Sequence, residues 1–172
     1  MTTAVSGQGH TASTTLQRPN DLTAYAAGDV IADATSGATV LTFQGAQGSS
    51  GTVSMILNEV LVVDSANQSP KPDLELWLFS VQPAAKQDNT AFAPTDAELN
   101  NLVAIVQIPS SSFIVGNAAA GASGNAVSSI KNIGTPINLA INDPRLFAFL
   151  VVRNAYTPVP QEQFVIDLKL LD

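Results

Sequence analysis

Residues 74–79 read LELWLF, and this run decides the fold class. Leu74, Leu76 and Leu78 alternate with Glu75, Trp77 and Phe79, the period of an extended strand whose successive side chains point to opposite faces. Only Glu75 is polar, so the pattern predicts a strand covered on both faces over most of its length. FAFLVVR at residues 147–153 has the same character. Phe147, Phe149 and Val151 share one face, and Ala148, Leu150 and Val152 the other. Both stretches read as inner strands of a β-domain. Two covered faces require a helix over the sheet or a seam with another copy of the chain. The expectation is self-association as a homo-oligomer, a dimer or trimer.

Working outward, residues 30–32, 39–43, 53–63, 102–108, 113–115, 126–131, 136–139 and 164–170 read as further strands. Within 53–63 the alternation breaks at Asn58-Glu59, which predicts a β-bulge or bend. Pro94-Thr95-Asp96-Ala97-Glu98 has the spacing of a capping box, Thr95 accepting from the third helical residue and Glu98 reaching back. That helix must be short, because LVAIVQI at 102–108 reads as a strand stopped by Pro109. With about nine or ten short strands, turn signals between them and no βαβ rhythm, the chain is expected to be all-β. The expected architecture is a jelly-roll-like β-sandwich over residues 21–172, with one short helix. Residues 1–20, rich in Thr, Ser, Gly and Gln, read as a flexible N-terminal arm. Extended, it would reach on the order of 60 Å, either frayed or ordered against a neighbouring subunit.

A chain of 172 residues suits one domain. Hydrophobic residues make up 45% and charged residues 12%, against a usual charged share of about 25%. Such a surface suits flat contacts with neighbours better than a solitary enzyme. The net charge is −7. The basic residues Arg18, Lys71, Lys86, Lys131, Arg145, Arg153 and Lys169 are too scattered for a phosphate-tracking stripe, which argues against direct nucleic-acid binding. The absence of cysteine excludes disulfides, thiol catalysis and cysteine–zinc sites. The N-terminal sequence has no signal-peptide pattern and no run approaches the ~20 apolar residues of a membrane span. A soluble protein made in the cytoplasm, without membrane contact, is expected.

The search for chemistry yields little. His10, the single histidine, falls in the expected arm, where no scaffold would hold it in a triad or metal site. Ser110-Ser111-Ser112 offers hydroxyls without a base and reads as a turn. Asp73 and Glu75 lie on one side of a strand, as a glycosidase pair would, but Asp73 follows Pro72 at a strand start and one exposed sheet face explains the pair. Asp96 and Glu98 read as helix caps. Asp64, Asn67 and Asp73 could offer oxygens to calcium, without the spacing of an EF-hand. Residues 116–125 contain glycines but lack the Gly-Lys-Ser/Thr ending of a phosphate loop. Trp77 reads as core rather than a sugar platform. No catalytic, cofactor-binding or metal-ligating residue is assigned.

Three stretches carry a resemblance: LQRPNDLTAYAAGDVIAD (16–33), LWLFSVQP…DNTAFAPTDAELNNLVAIVQI (76–108) and LFAFLVVRNAYTP (146–158). Together they resemble a family of small virion-associated structural proteins of tailed bacteriophages, the capsid decoration or cement proteins. The resemblance covers most of residues 16–170 and rests on turn-and-strand signatures with no catalytic residue among them. It implies a jelly-roll-like fold and a subunit that binds between major capsid proteins and stabilises the head. It also implies no enzymatic activity, no cofactor, and a place on the capsid surface of the virion after synthesis in the host cytoplasm. A carbohydrate-binding or tail-adhesion jelly-roll module is the alternative.

Overall fold

The computed structural model describes residues 9–33, 37–48, 53–66, 68–116, 125–140 and 142–172. Its strands are β1 (Gly9–Gln17), β2 (Asp29–Ile31), β3 (Leu41–Phe43), β4 (Ser54–Asp64), β5 (Leu74–Phe79), β6 (Thr90–Ala91), β7 (Leu102–Ile108), β8 (Ile114–Val115), β9 (Ala126–Asn138), β10 (Leu146–Val152) and β11 (Gln163–Leu171). The helix α1 (Asp96–Leu99) precedes β7. All pairings are antiparallel and form two sheets. The first runs β1-β11-β4-β9-β8 and the second β6-β2-β10-β5-β7, with β3 pairing the same flank of β10 as β2. Setting aside the two-residue β6 and β8, the chain alternates between sheets at every step but β2 to β3 and β5 to β7. That strand order is a jelly-roll sandwich.

The core follows from strand alternation. Leu74, Leu76 and Leu78 of β5 and Ala148, Leu150 and Val152 of β10 face Val60, Val62, Ile166 and Leu168 of the first sheet. In β4 the inward residues change phase, from Met55 and Leu57 to Val60 and Val62. The register gives the reason. Leu57 pairs with Thr135 and Glu59 with Lys131, so Asn58 stands opposite residues 132–134 of β9. Asn132 and Gly134 adopt positive φ there, a conformation asparagine and glycine tolerate. The bulge expected at Asn58-Glu59 is present. It also joins the segments 126–131 and 136–139 into the single strand β9.

The N-terminal expectation is corrected. Gly9–Gln17 is no free arm but an edge strand, paired with β11 from Gly9↔Leu171 to Gln17↔Gln163. Ala12 and Leu16 enter the core, while Thr11, Ser13 and Thr15 face out. The boundary between an arm at 1–20 and a domain at 21–172 therefore does not hold for residues 9–20. Residues 1–8 lie outside the described residues.

The outer face of the second sheet takes its cover from neither of the two expected sources. The outward residues Phe147, Phe149 and Val151 of β10 are buried, and what covers them is the chain itself. Phe92, from the connection between β5 and β7, packs against Phe149 at 5.4 Å and edge-on to Trp77 at 5.0 Å between ring centroids. Val40 and Leu102 complete the cover. The same connection is strapped down by backbone bonds, Phe92 N–H to Gly28 O (2.8 Å) and Asn89 N–H to Val30 O (2.9 Å). The helix plays no part in the cover, since α1 buries no residue. Its capping box is nonetheless present as expected, with Thr95 and Glu98 bonded reciprocally.

Candidate functional site

Three features of the sandwich collect polar or exposed side chains: a buried corner, a shallow cavity and one sheet face. The corner lies where β1, β4 and β10 end and β11 begins. Asp64, the last residue of β4, is fully buried. It accepts from Lys71 Nζ at 2.7 Å and from the backbone N–H of Ala66 at 2.8 Å. Lys71 also donates to the carbonyl of Ala66. Glu162, before β11, is equally enclosed and accepts from the Tyr156 hydroxyl, the Gln68 amide and the Val159 N–H. Burial first, and the neighbouring charge of Asp64 second, push the Glu162 carboxyl up to about 7. Tyr156 stacks on Tyr25 at 5.6 Å and 7°, and their backbones bond to each other. Burial raises both hydroxyls well above the ordinary tyrosine range.

Tyr25 continues the network. Its hydroxyl donates to Asp88 at 2.6 Å and accepts from Arg18 Nε. The Arg18 side chain is fully buried, over the Tyr25 ring at 4.6 Å, and within 3.5 and 3.8 Å of Asp21 and Asp88. Burial works against its charge, but Tyr25 and Asp88 outweigh that and its pKa is raised. This corner ties four separate segments of chain together, residues 18–25, 64–71, 88 and 156–162. Arg18, Asp64 and Glu162 are enclosed and engaged by neighbours from other segments, so what the corner does chemically is hold loops.

The Asp64 and Asp73 oxygens weighed as calcium ligands are otherwise engaged. A lysine ammonium already sits among the oxygens of Asp64 and Ala66, the arrangement a bound cation would otherwise complete. Asp73 is turned elsewhere and accepts from the Ser110 N–H at 2.6 Å. Asn67 lies outside the described residues. Among the described residues, no group of three His, Asp or Glu is placed to hold a metal ion.

The cavity, of about 240 Å³, lies beside β5 and β7. Asp73, Glu75, Gln107 and Arg153 supply its polar lining and Leu74, Ile108 and Pro109 its apolar lining. Burial opposes the charge of Glu75, but hydrogen bonds from Arg153 and from Trp77 Nε1 (2.9 Å) prevail and lower its pKa. Asp73 and Glu75 thus share a cavity, yet each is engaged by a structural donor. Trp77 is half-buried under Phe92, in keeping with a core role. Ser110–Ser112 forms a 3-10 turn, in which Ser112 Oγ lies 2.6 Å from Ser128 Oγ. Asp96 and Glu98 sit in the first turn of α1. Most of the 116–125 loop falls outside the described residues.

His10 is held in β1 rather than in a free arm, its Nε2 3.1 Å from the carbonyl of Ala46. Its Nδ1 is buried without a hydrogen-bond partner. Sequence reasoning missed Arg18, Tyr25, Tyr156 and Glu162 as a group. No spacing links residues so far apart, and no local pattern singled them out.

The third feature is the outer face of the first sheet. Its register aligns Thr15, Val165, Val63, Val127 and Ile114 in one row across five strands. Ile114 is 75% exposed, and none of the four apolar residues belongs to either buried cluster. Further along the face come Leu61, then the row Lys169–Glu59–Lys131, then Leu171, Ile56 and Pro136. No protein-family model and no curated protein matches this chain.

Proposed function

We propose that the chain is a structural subunit of a tailed-bacteriophage virion, a decoration protein that seats between major capsid proteins and stabilises the head. The observation that carries this reading is the use made of its polar side chains. Asp64, Glu75 and Asp143 are paired with Lys71, Arg153 and Arg145, so these charged groups are engaged within the chain, of which charged residues make up only 12%. The three stretches resembling virion-associated proteins and the jelly-roll order support the same reading. Jelly rolls serve in capsids and lectins alike, so the strand order alone does not choose between them.

The mechanism is additive. Each copy covers part of a joint between capsid subunits, where a standard interface is about 1,600 Å² in total. Many copies on one shell convert weak single contacts into a strong hold. The cavity lined by Asp73, Glu75, Gln107 and Arg153 favours a second reading, a carbohydrate-binding module, because acid and amide groups beside the apolar Leu74, Ile108 and Pro109 suit sugar hydroxyls.

The test is to add the purified protein to phage heads assembled without it, and to image them by electron microscopy. Density at regular lattice positions, with recovered heat resistance of the heads, is expected. Bare shells at saturating protein overturn the capsid reading, and a glycan-array hit abolished by Arg153→Ala would put the carbohydrate reading in its place.

A further inference from the structure

Among the described residues, the outer face of the first sheet carries no buried apolar cluster like the one on the second sheet, and we propose that it pairs face to face with the same face of a second copy of this chain. The apolar row Val165–Val63–Val127–Ile114 is its centre. Leu61 lies two residues along β4, on the same side as Val63. Packed sheets meet about 10 Å apart through interdigitating side chains. A ladder of β-branched residues makes a flat surface suited to such packing.

Two properties select a second copy as the occupant. The first is area. Four long strands at about 4.8 Å spacing and nine residues at about 3.3 Å rise give a footprint of about 600 Å² before side-chain relief. A standard interface takes roughly 800 Å² from each partner, so this face nearly fills one. The second is charge. The chain carries −7, yet the charged residues on this face are Asp167, Glu59, Lys169 and Lys131, which cancel. Lys169 Nζ lies 3.4 Å from Asp167, which accepts from Ser13 at 2.6 Å, and Glu59, in register between Lys169 and Lys131, accepts from Ser129. Two acidic molecules can therefore meet here without opposing net charge. A strongly basic partner would find no acidic surplus to recognise.

This pairing goes beyond the capsid reading, and the experiment separates the two. Sedimentation equilibrium of the purified full chain should give twice 17.8 kDa at micromolar concentration. Val63→Lys should weaken the dimer at least tenfold without changing the circular dichroism spectrum. Ile114→Lys, at the exposed end of the row, guards against a Val63 variant that misfolds and should weaken it as well. Ile105→Lys on the second sheet should leave the mass unchanged. A monomer at 100-fold higher concentration, a trimer, or a dimer indifferent to both lysines on the first sheet would overturn the proposal. A monomer that still decorates heads defeats this pairing and spares the capsid reading; a dimer that leaves heads bare does the reverse.

Discussion

The two sheets have the same kind of inner face and opposite outer faces. On the second sheet Phe147, Phe149 and Val151 point away from the sandwich core and are still buried, because Phe92, Val40 and Leu102 lie over them. On the first sheet Val63, Val127 and Val165 also point away, and Ile114 beside them stands open. The difference is one of connection length. Twenty-two residues separate β5 from β7, enough to cross a sheet and return, and Phe92 comes from that stretch; β8 and β9 apart, consecutive strands of the first sheet are joined through strands of the other. An apolar outer face therefore has two meanings in this molecule. One is a second, internal core, and the other is the face proposed to meet a second copy.

The largest test of that contrast is Phe149→Ala. It should destabilise the fold by about 3–5 kcal/mol in denaturant titration, as for a buried aromatic. Val165→Thr on the first sheet, measured the same way in the monomer, should stay within about 0.5 kcal/mol. Equal losses would show the two faces to be alike. Lys71→Met attacks the corner that joins both sheets and strands the buried Asp64 carboxylate, a change expected to cost about 3–5 kcal/mol. Phe92→Ala removes the lid but not the sheet beneath it. A loss of about 2 kcal/mol, with new binding of a hydrophobic dye, would mark the second sheet as newly bare.

The corner also predicts a pH dependence. The folded chain keeps the Glu162 proton up to about pH 7, whereas the unfolded chain releases it near 4.5. The folded state thus binds more protons in that window, and stability should fall as pH rises from about 4.5 to about 7. Glu162→Gln should flatten that slope in thermal melts across the window, and an unchanged slope would assign it elsewhere. The smallest effect belongs to Thr95→Ala, about 1 kcal/mol at most from a lost cap. Because α1 buries nothing, that change should leave the cover of the second sheet in place.

What could be read from the sequence was what is periodic. LELWLF, LVAIVQI and the run from Phe164 to Leu170 announced β5, β7 and β11 through alternation, and Asn58-Glu59 announced its bulge by breaking it. The capping box at Thr95 was legible because its two partners sit three residues apart. β1 was not, since only Ala12 and Leu16 among nine residues enter the core and the rest resemble a solvated tail. The cover over β10 was hidden for a different reason. Phe92 is a lone aromatic in a polar connection, and nothing local says which sheet it will cross. The corner was the least legible of all, because Arg18, Asp64, Tyr156 and Glu162 become neighbours only after the sandwich closes.

The pairing of β1 with β11 has a consequence for how the molecule is made. Ser13 and Asp167 are 154 residues apart in sequence and bonded in the fold. At ribosomal speeds of about 5–20 residues per second, β1 emerges roughly 8–30 s before its partner exists. During that wait it must remain extended, unpaired and soluble. A strand built from threonine, serine and glycine, with two small apolar contacts to offer, is suited to waiting, and the composition that disguises it as a tail is the one that keeps the nascent chain from adhering to its neighbours.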